Sequence, residues 1–395
     1  MRIERKMTWY VCGIMLLMFI GAICTTTQGM LLTDYIDHYE LESFRQGYMS
    51  AFQSIGNILA LFLIGIFIGK IKKASVLTLS AFLIPVVFFA LHWKPPYIVL
   101  LLCYGLYGVA FGFLDSLASS IMVDVYHEDA SKYMNVLHGV YGVGGLLGPV
   151  LLQFLSNVGL QWNDILAALC VLSLLAALLY AAVAYPIFKV QGRAAEGAGP
   201  LLLSDVLTFF REKRKQALLL CCFLYGAHQI GITVWTTRYI SEYLYAPAFG
   251  PAALSLFWVG VTLSRLIITG FKFKPEKVVL CGHILSGLAI GIGVLVKNGL
   301  FMMICCGLSG FFEGAILPEA LYISCSWTSK NTALGSSMVL IAHYIGFVIT
   351  PPLIGAVIRS LGVAVGMSIP VICSFAAAAG ALALMKYSKS SYEAA

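Results

Sequence analysis

Charge is the scarcest property of this 395-residue chain. Asp, Glu, Lys and Arg make up 11% of it, against roughly a quarter in soluble domains. Hydrophobic residues make up 60%, and the mean hydropathy is +0.90. That balance excludes a water-soluble globule and indicates an all-α polytopic membrane protein. Motifs of chemistry are missing too. No nucleophile motif, phosphate-cradling glycine loop or cluster with metal-ligand spacing occurs, which argues against an enzyme, a bound cofactor or metal, and ATP hydrolysis by this chain. The eleven cysteines never take the Cys-x-x-Cys spacing and fall in or beside apolar stretches. They read as small packing residues and not as a disulfide framework. No small-residue cleavage site follows MRIERKMTWY, so the first apolar segment is expected to stay as a membrane span. The net charge of +7 implies no nucleic-acid partner, because the basic residues fall mainly in short loops.

What is there is a series of apolar runs. About 20 apolar residues span a bilayer. By that measure twelve transmembrane helices are expected, near 8–32, 47–69, 74–92, 97–123, 133–156, 164–188, 216–240, 249–270, 277–296, 300–325, 332–357 and 363–385. With the N-terminus inside, twenty of the 25 Lys and Arg fall on the inner side, which predicts both termini in the cytoplasm. The longest polar stretch, 189–215, begins Gly/Ala-rich and ends basic. It divides an N-terminal six-helix bundle, 1–188, from a C-terminal one, 216–395, as a cytoplasmic linker. Its LLLSDVLTFFREKRK segment reads either as an amphipathic surface helix or as a solvated connector.

The two halves resemble each other. GFLD (112–115) returns as GFFE (310–313), each in the fourth helix of its half, and YGVGGLLGPVL parallels YIGFVITPPLIG. Two pseudo-symmetric six-helix bundles describe the major facilitator architecture, in which a solute site lies between the halves.

Intramembrane ionisable residues are costly and usually face a cavity. Asp115 is the one charged residue between Pro96 and Val123, on a face with Gly108, Gly112 and Ser119. Glu313 lies near the middle of its span, and Glu319 follows Pro318, a helix breaker. These three acids are the expected proton-coupling residues. Helix five places Asn135, His138 and Gly142 on one face, with Tyr141 beside them; its glycines read as packing sites. Helix seven carries Tyr225, His228, Trp235 and Tyr239 at helical spacing, with Gln229 alongside. Mixed aromatic and amide groups suit a sugar ring, with its apolar face and hydroxyl rim. Thr25 and Gln28 in helix one, and His343 and Tyr344 in helix eleven, complete the expected solute-binding set. Asp34, Asp37, Glu40 and Glu42 belong to an outer loop, and His92, His127 and His283 receive no role.

At these residues the chain resembles the fucose permease-like sugar:proton symporters of the major facilitator superfamily. The resemblance rests on TTTQGMLLTDYIDHYELESFRQGYMSAFQSIG, GFLDSLASS, YMNVLHGVYGVGGLLGP, and GFFEGAILPEALYIS followed by PPLIGAVIRSLG. It implies that Asp115 takes the place of a fourth-span acid used in substrate binding and proton coupling. It also implies that His138 replaces a sugar-binding glutamine, and Gln28 a first-span asparagine. Gly29 stands where fucose carriers have a further acid, and Ser119-Ser120 where the family has Asn-Pro.

The expected function is secondary active transport of a small polar solute of the sugar class across the cytoplasmic membrane by alternating access, coupled to protons. The alternatives are a drug or metabolite exporter of the same superfamily and an uncoupled sugar facilitator. The expected partners are the solute, protons and the lipid bilayer, with the monomer as the working unit.

Overall fold

The computed structural model describes residues 2–41, 48–67, 72–191, 203–328 and 331–393. The described residues are 92% helical and show no strand. That is what a membrane demands, because a helix satisfies its own backbone where water cannot. The first half contains α1 (Arg2–Thr25), α2 (Tyr48–Phe67), α3 (Lys73–His92), α4 (Tyr97–Tyr126), α5 (Ala130–Asn157) and α6 (Trp162–Gln191). The second contains α7 (Lys213–Arg238), α8 (Gly250–Ile267), α9 (Pro275–Val296), α10 (Gly299–Glu313), α11 (Ile316–Trp327), α12 (Thr332–Leu361) and α13 (Ser368–Glu393).

Among the described residues eleven helical stretches are long and apolar enough to cross a membrane, and the apolar helix Tyr48–Ile64 is a shorter twelfth. Each falls on one of the twelve expected spans. Several helices outrun the apolar run that announced them: α4 reaches Tyr126 and α5 begins at Ala130. The expected tenth span is broken, with α10 ending at Glu313 and α11 starting at Ile316. Three threonines end α1. Thr25, Thr26 and Thr27 turn their hydroxyls onto the carbonyls of Gly21, Ile23 and Cys24 at 3.0, 2.7 and 2.8 Å. Such back-bonding loosens a helix, and a short helix, Thr27–Met30, follows the break.

Of the expected linker, 192–202 lie outside the described residues, as do Glu42, Arg45, Lys70 and Lys330. The rest of the linker carries a helix, Leu203–Arg211, whose Phe209 is buried while Leu207 and Phe210 are exposed. All eleven cysteines are free.

The chain divides into two compact units, Met1–Met122 with Val140–Leu201, and Val123–Gly139 with Leu202–Ala395. In the first, α6 packs on α1 and α3. α2 crosses α4 closely: a Cβ at Gly108 would collide with the Gln53 carbonyl. The glycines of α5 pack as expected, but at different positions. Gly144 and Gly148 meet Phe19 and Thr26, whereas Gly145 faces open space. In the second unit, α7 packs against α12 and α13, α8 against α10, and α9 against α10 and α13. Lipid-facing side chains such as Phe89, Leu175 and Leu295 remain exposed, as bilayer contact requires.

Candidate functional site

The second unit holds a buried polar cluster centred on Glu313, the last residue of α10, which is fully enclosed. Gln229 donates from Nε2 to Glu313 Oε1 at 3.0 Å. The other carboxylate oxygen, Oε2, stands 3.1 Å from His228 Nε2 and accepts from the Ser286 hydroxyl at 3.3 Å. His228 Nδ1 lies 2.8 Å from the Pro370 carbonyl. A carbonyl only accepts, so Nδ1 carries a proton. That leaves Nε2 facing a carboxylate oxygen. A bare lone pair there would face a carboxylate oxygen, and the Ser286 hydroxyl, 2.7 Å from Nε2, stands beside both groups.

Two neighbours extend the cluster. Ser286 also stands 2.7 Å from His228 Nε2 and 2.7 Å from Ser309 Oγ. Gln229 donates a second bond, to the Tyr225 hydroxyl at 2.8 Å. The His343 ring stacks on the Tyr225 ring at 5.1 Å between centroids, and His283 meets its edge at 6.1 Å. Glycine makes the stacking possible. A Cβ at Gly226 would strike the His343 carbonyl and one at Gly346 the Phe223 carbonyl, so α7 and α12 approach at backbone distance.

A second group joins α5 to α11. Glu319 lies in the first turn of α11 and is buried. Its Oε1 accepts from Asn135 Nδ2 at 2.7 Å, and the Ser131 hydroxyl stands 2.8 and 2.9 Å from the two oxygens. Asn135 is thus tied to an acid six residues beyond Glu313. His138 is buried, and its backbone carbonyl accepts from Arg265 Nη1 at 3.1 Å. Trp235 lies against Gly355 at the border of an apolar cluster that contains Ile232, Tyr239 and Phe257, and its indole nitrogen has no hydrogen-bond partner. Tyr344 lies 5.6 Å from the His343 ring, centroid to centroid.

In the first unit Asp115 is 6% exposed, in one buried stretch of α4 with Ser116 and Ser119. Thr25 Oγ1 lies 2.8 Å from the Tyr107 hydroxyl, which donates to the Gly21 carbonyl at 2.8 Å. Gln28 donates to Gln53 Oε1 and accepts from Ser50 at 2.9 Å. Tyr141 packs on Phe111 at 5.6 Å between ring centroids.

The structure therefore brings Tyr225, His228, Gln229, Glu313 and His343 together, and separately Asn135 with Glu319. Sequence reasoning missed several participants. His283 is wholly buried in α9, not at its end, and neither ring nitrogen has a partner. Ser286 and Ser309 give no signal, since lone serines in spans are common. Gln53 and Asn57 are amides inside an apolar run and were detectable on that ground. Arg265 was counted as a topology charge, but it is 4% exposed and donates from Nε to the Gly314 carbonyl at 2.8 Å. A charge inside the 249–270 window was the available sign.

Known proteins bear on this arrangement at three levels. The family model described as Major Facilitator Superfamily matches residues 14–271. Among curated proteins, an uncharacterized MFS-type transporter of Yersinia pestis is 24% identical over 283 residues, covering 70% of each chain. Bypass of stop codon protein 6 of Saccharomyces cerevisiae is 23% identical, over 93% of this chain and 80% of its own length. Among solved structures, a form of the E. coli fucose:proton symporter FucP has a TM-score of 0.76 at 18% identity, covering 94% of this chain and 97% of that one. The proton:xylose symporter XylE, bound to a bromodeoxyglucose, has a TM-score of 0.71 at 14% identity, covering 94% of each. At such identities these two similarities establish the fold alone. With the family model spanning well over half of its length, the chain belongs to the major facilitator superfamily of transporters.

Proposed function

We propose that this chain is a fucose permease-like secondary transporter of the cell membrane. It carries a small polar solute of the sugar class by alternating access, coupled to protons, with both termini in the cytoplasm. One observation carries the reading: Glu313 and His228 meet at 3.1 Å, wholly buried, and Gln229 ties Glu313 to Tyr225. A buried carboxylate in contact with an imidazole and linked to amide and phenol groups is the arrangement a proton-coupled solute site needs. The fold neighbours named as fucose:proton and proton:xylose symporters support the same reading.

In this scheme Thr25, Gln28, His138, Tyr141, Tyr225, Gln229, Trp235, His343 and Tyr344 contact the solute. Asp115 in the first unit and the Glu313–His228 pair in the second carry the proton. Asn135 and Glu319 latch α5 to α11 and release it during the cycle.

Uptake into proteoliposomes tests the proposal. A panel of hexoses, pentoses and deoxysugars is offered with and without an inward proton gradient. Accumulation of one sugar above equilibrium, only with the gradient, is the expected result. Equilibration that ignores the gradient would make the chain a facilitator, and transport of hydrophobic cations alone would make it an exporter.

A further inference from the structure

Among the described residues Arg265 has no ion-pair partner. It lies in the last turn of α8 and is 4% exposed. Among the described residues no carboxylate stands within ion-pairing distance of it. Its Nε and Nη1 donate to two backbone carbonyls, of Gly314 and His138, at 2.8 and 3.1 Å. A guanidinium has five N–H donors, so beyond these two bonds and a contact with the Tyr225 hydroxyl part of the fork is left over. Its neighbours bring no negative charge: it lies within electrostatic reach of His138, His343 and the Tyr225 hydroxyl. Glu313 makes its contacts with His228, Gln229 and Ser286 instead. Carbonyl dipoles offset part of the cost of burying a cation, but not its charge. An unpaired charge in such a place is among the most costly features a fold can keep.

Among the described residues no carboxylate pairs with this buried cation. Arginine suits one kind of occupant above others. Its planar fork matches the two oxygens of a carboxylate and is always charged.

We propose that the transported solute is an anion, a carboxylate-bearing molecule whose carboxylate takes the free edge of Arg265. This rests on the transport reading above and narrows its sugar class to sugar acids. The Tyr225 hydroxyl and His343 lie within electrostatic reach of the guanidinium, and Gln229 links Tyr225 to Glu313. A neutral hexose would leave the guanidinium as it is found, desolvated and uncompensated, and would be selected against.

The test uses the purified full chain in detergent, with binding read by thermal shift and by equilibrium dialysis. The probes are D-glucuronate and D-galacturonate against D-glucose and D-galactose, with lactate and succinate as anions that are not sugars. The uronates are expected to bind at least tenfold more tightly than their hexoses. Arg265→Gln is expected to lose at least tenfold in uronate affinity. Arg265→Lys, which keeps the charge and loses the fork, is expected to fall between the two and covers the case in which the glutamine variant fails to fold. Lactate or succinate binding with no sugar bound upholds the anion site and overturns the sugar reading. Hexose binding alone does the reverse. No binding by any anion, or uronate affinity unchanged in both Arg265 variants, overturns the proposal.

Discussion

Arg265 donates from Nε to the Gly314 carbonyl at 2.8 Å, the carbonyl that Pro318 leaves without its helical donor. In an unbroken helix the amide of residue 318 would bond the oxygen of residue 314, and proline has no amide hydrogen. The break between α10 and α11 thus has two effects. It ends α10 at Glu313, and it turns a backbone acceptor toward the guanidinium from α8. Pro318→Ala restores a competing donor. Solute affinity is expected to fall severalfold while the thermal midpoint holds or rises. An unchanged affinity in a binding titration would separate the break from the site.

Glu313→Gln tests the coupling role proposed for Glu313. Glutamine can hold the shape of the protonated acid and donate to His228 Nε2, so it fixes the pair in its loaded form. Counterflow between solute pools is expected to persist and gradient-driven accumulation to vanish. Asp115→Asn is expected to act in the same direction if the first-unit acid shares the proton. Full accumulation in Glu313→Gln proteoliposomes would remove Glu313 from the coupling.

The architecture was legible because hydropathy over 20 residues is a strong, local signal, and because GFLD and GFFE repeat at matched places. Side-chain partnerships were less so. Helical spacing grouped Tyr225, His228, Trp235 and Tyr239 on α7 with Gln229 alongside; the structure brings Tyr225, His228 and Gln229 to the polar cluster, while Tyr239 lies in an apolar cluster with Trp235 at its border. It could not say that His228 would find Glu313, 85 positions on, or that Asn135 would find Glu319. Those pairings depend on how helices cross. Arg265 was misread for a related reason: a charge near a span end looks like a topology signal until the neighbouring helices enclose it.

The crossing of α7 and α12 depends on glycine. At Gly226 a leucine would have to displace the His343 backbone, and a backbone yields far less readily than a side-chain tip. Gly226→Leu is expected to abolish stable folding. Gly145→Ala, at a position with open space, is expected to leave expression and the melting temperature unchanged. Fluorescence-detected size exclusion of the two variants side by side distinguishes a packing crossing from a generic cost of altering glycine.

Outside the spans, Glu212 precedes α7 and bonds Lys215 Nζ at 2.8 Å and Arg214 Nε at 3.2 Å. Partial burial pushes its carboxyl upward, but the hydrogen bonds and charges of Lys215 and Arg214 outweigh that and hold it below the ordinary glutamate value of 4.5. A depressed carboxyl contributes stability that is present above its unfolded value and is lost as pH falls through the folded one. The contribution is therefore intact at neutral pH and disappears in acid below about 4.5. Glu212→Gln is expected to flatten the dependence of melting temperature on pH in that acid range and to change little at pH 7. An identical acid slope in the variant would assign the slope to other carboxylates.

The Asn135–Glu319 contact yields the sharpest stability prediction. Glu319 has only Asn135 and Ser131 as side-chain hydrogen-bond partners among the described residues. A buried acceptor that loses its donor costs about 1–3 kcal/mol. Asn135→Ala should lower stability by that order, and Glu319→Gln by less, because its carbonyl oxygen still accepts. Removing both groups, as Asn135→Ala with Glu319→Leu, should cost less than the two single losses added together, since neither partner is then stranded. Denaturant titration of the wild type, Asn135→Ala, Glu319→Leu and the double variant measures the coupling directly. Strict additivity would mean that the 2.7 Å bond contributes nothing to holding α5 against α11.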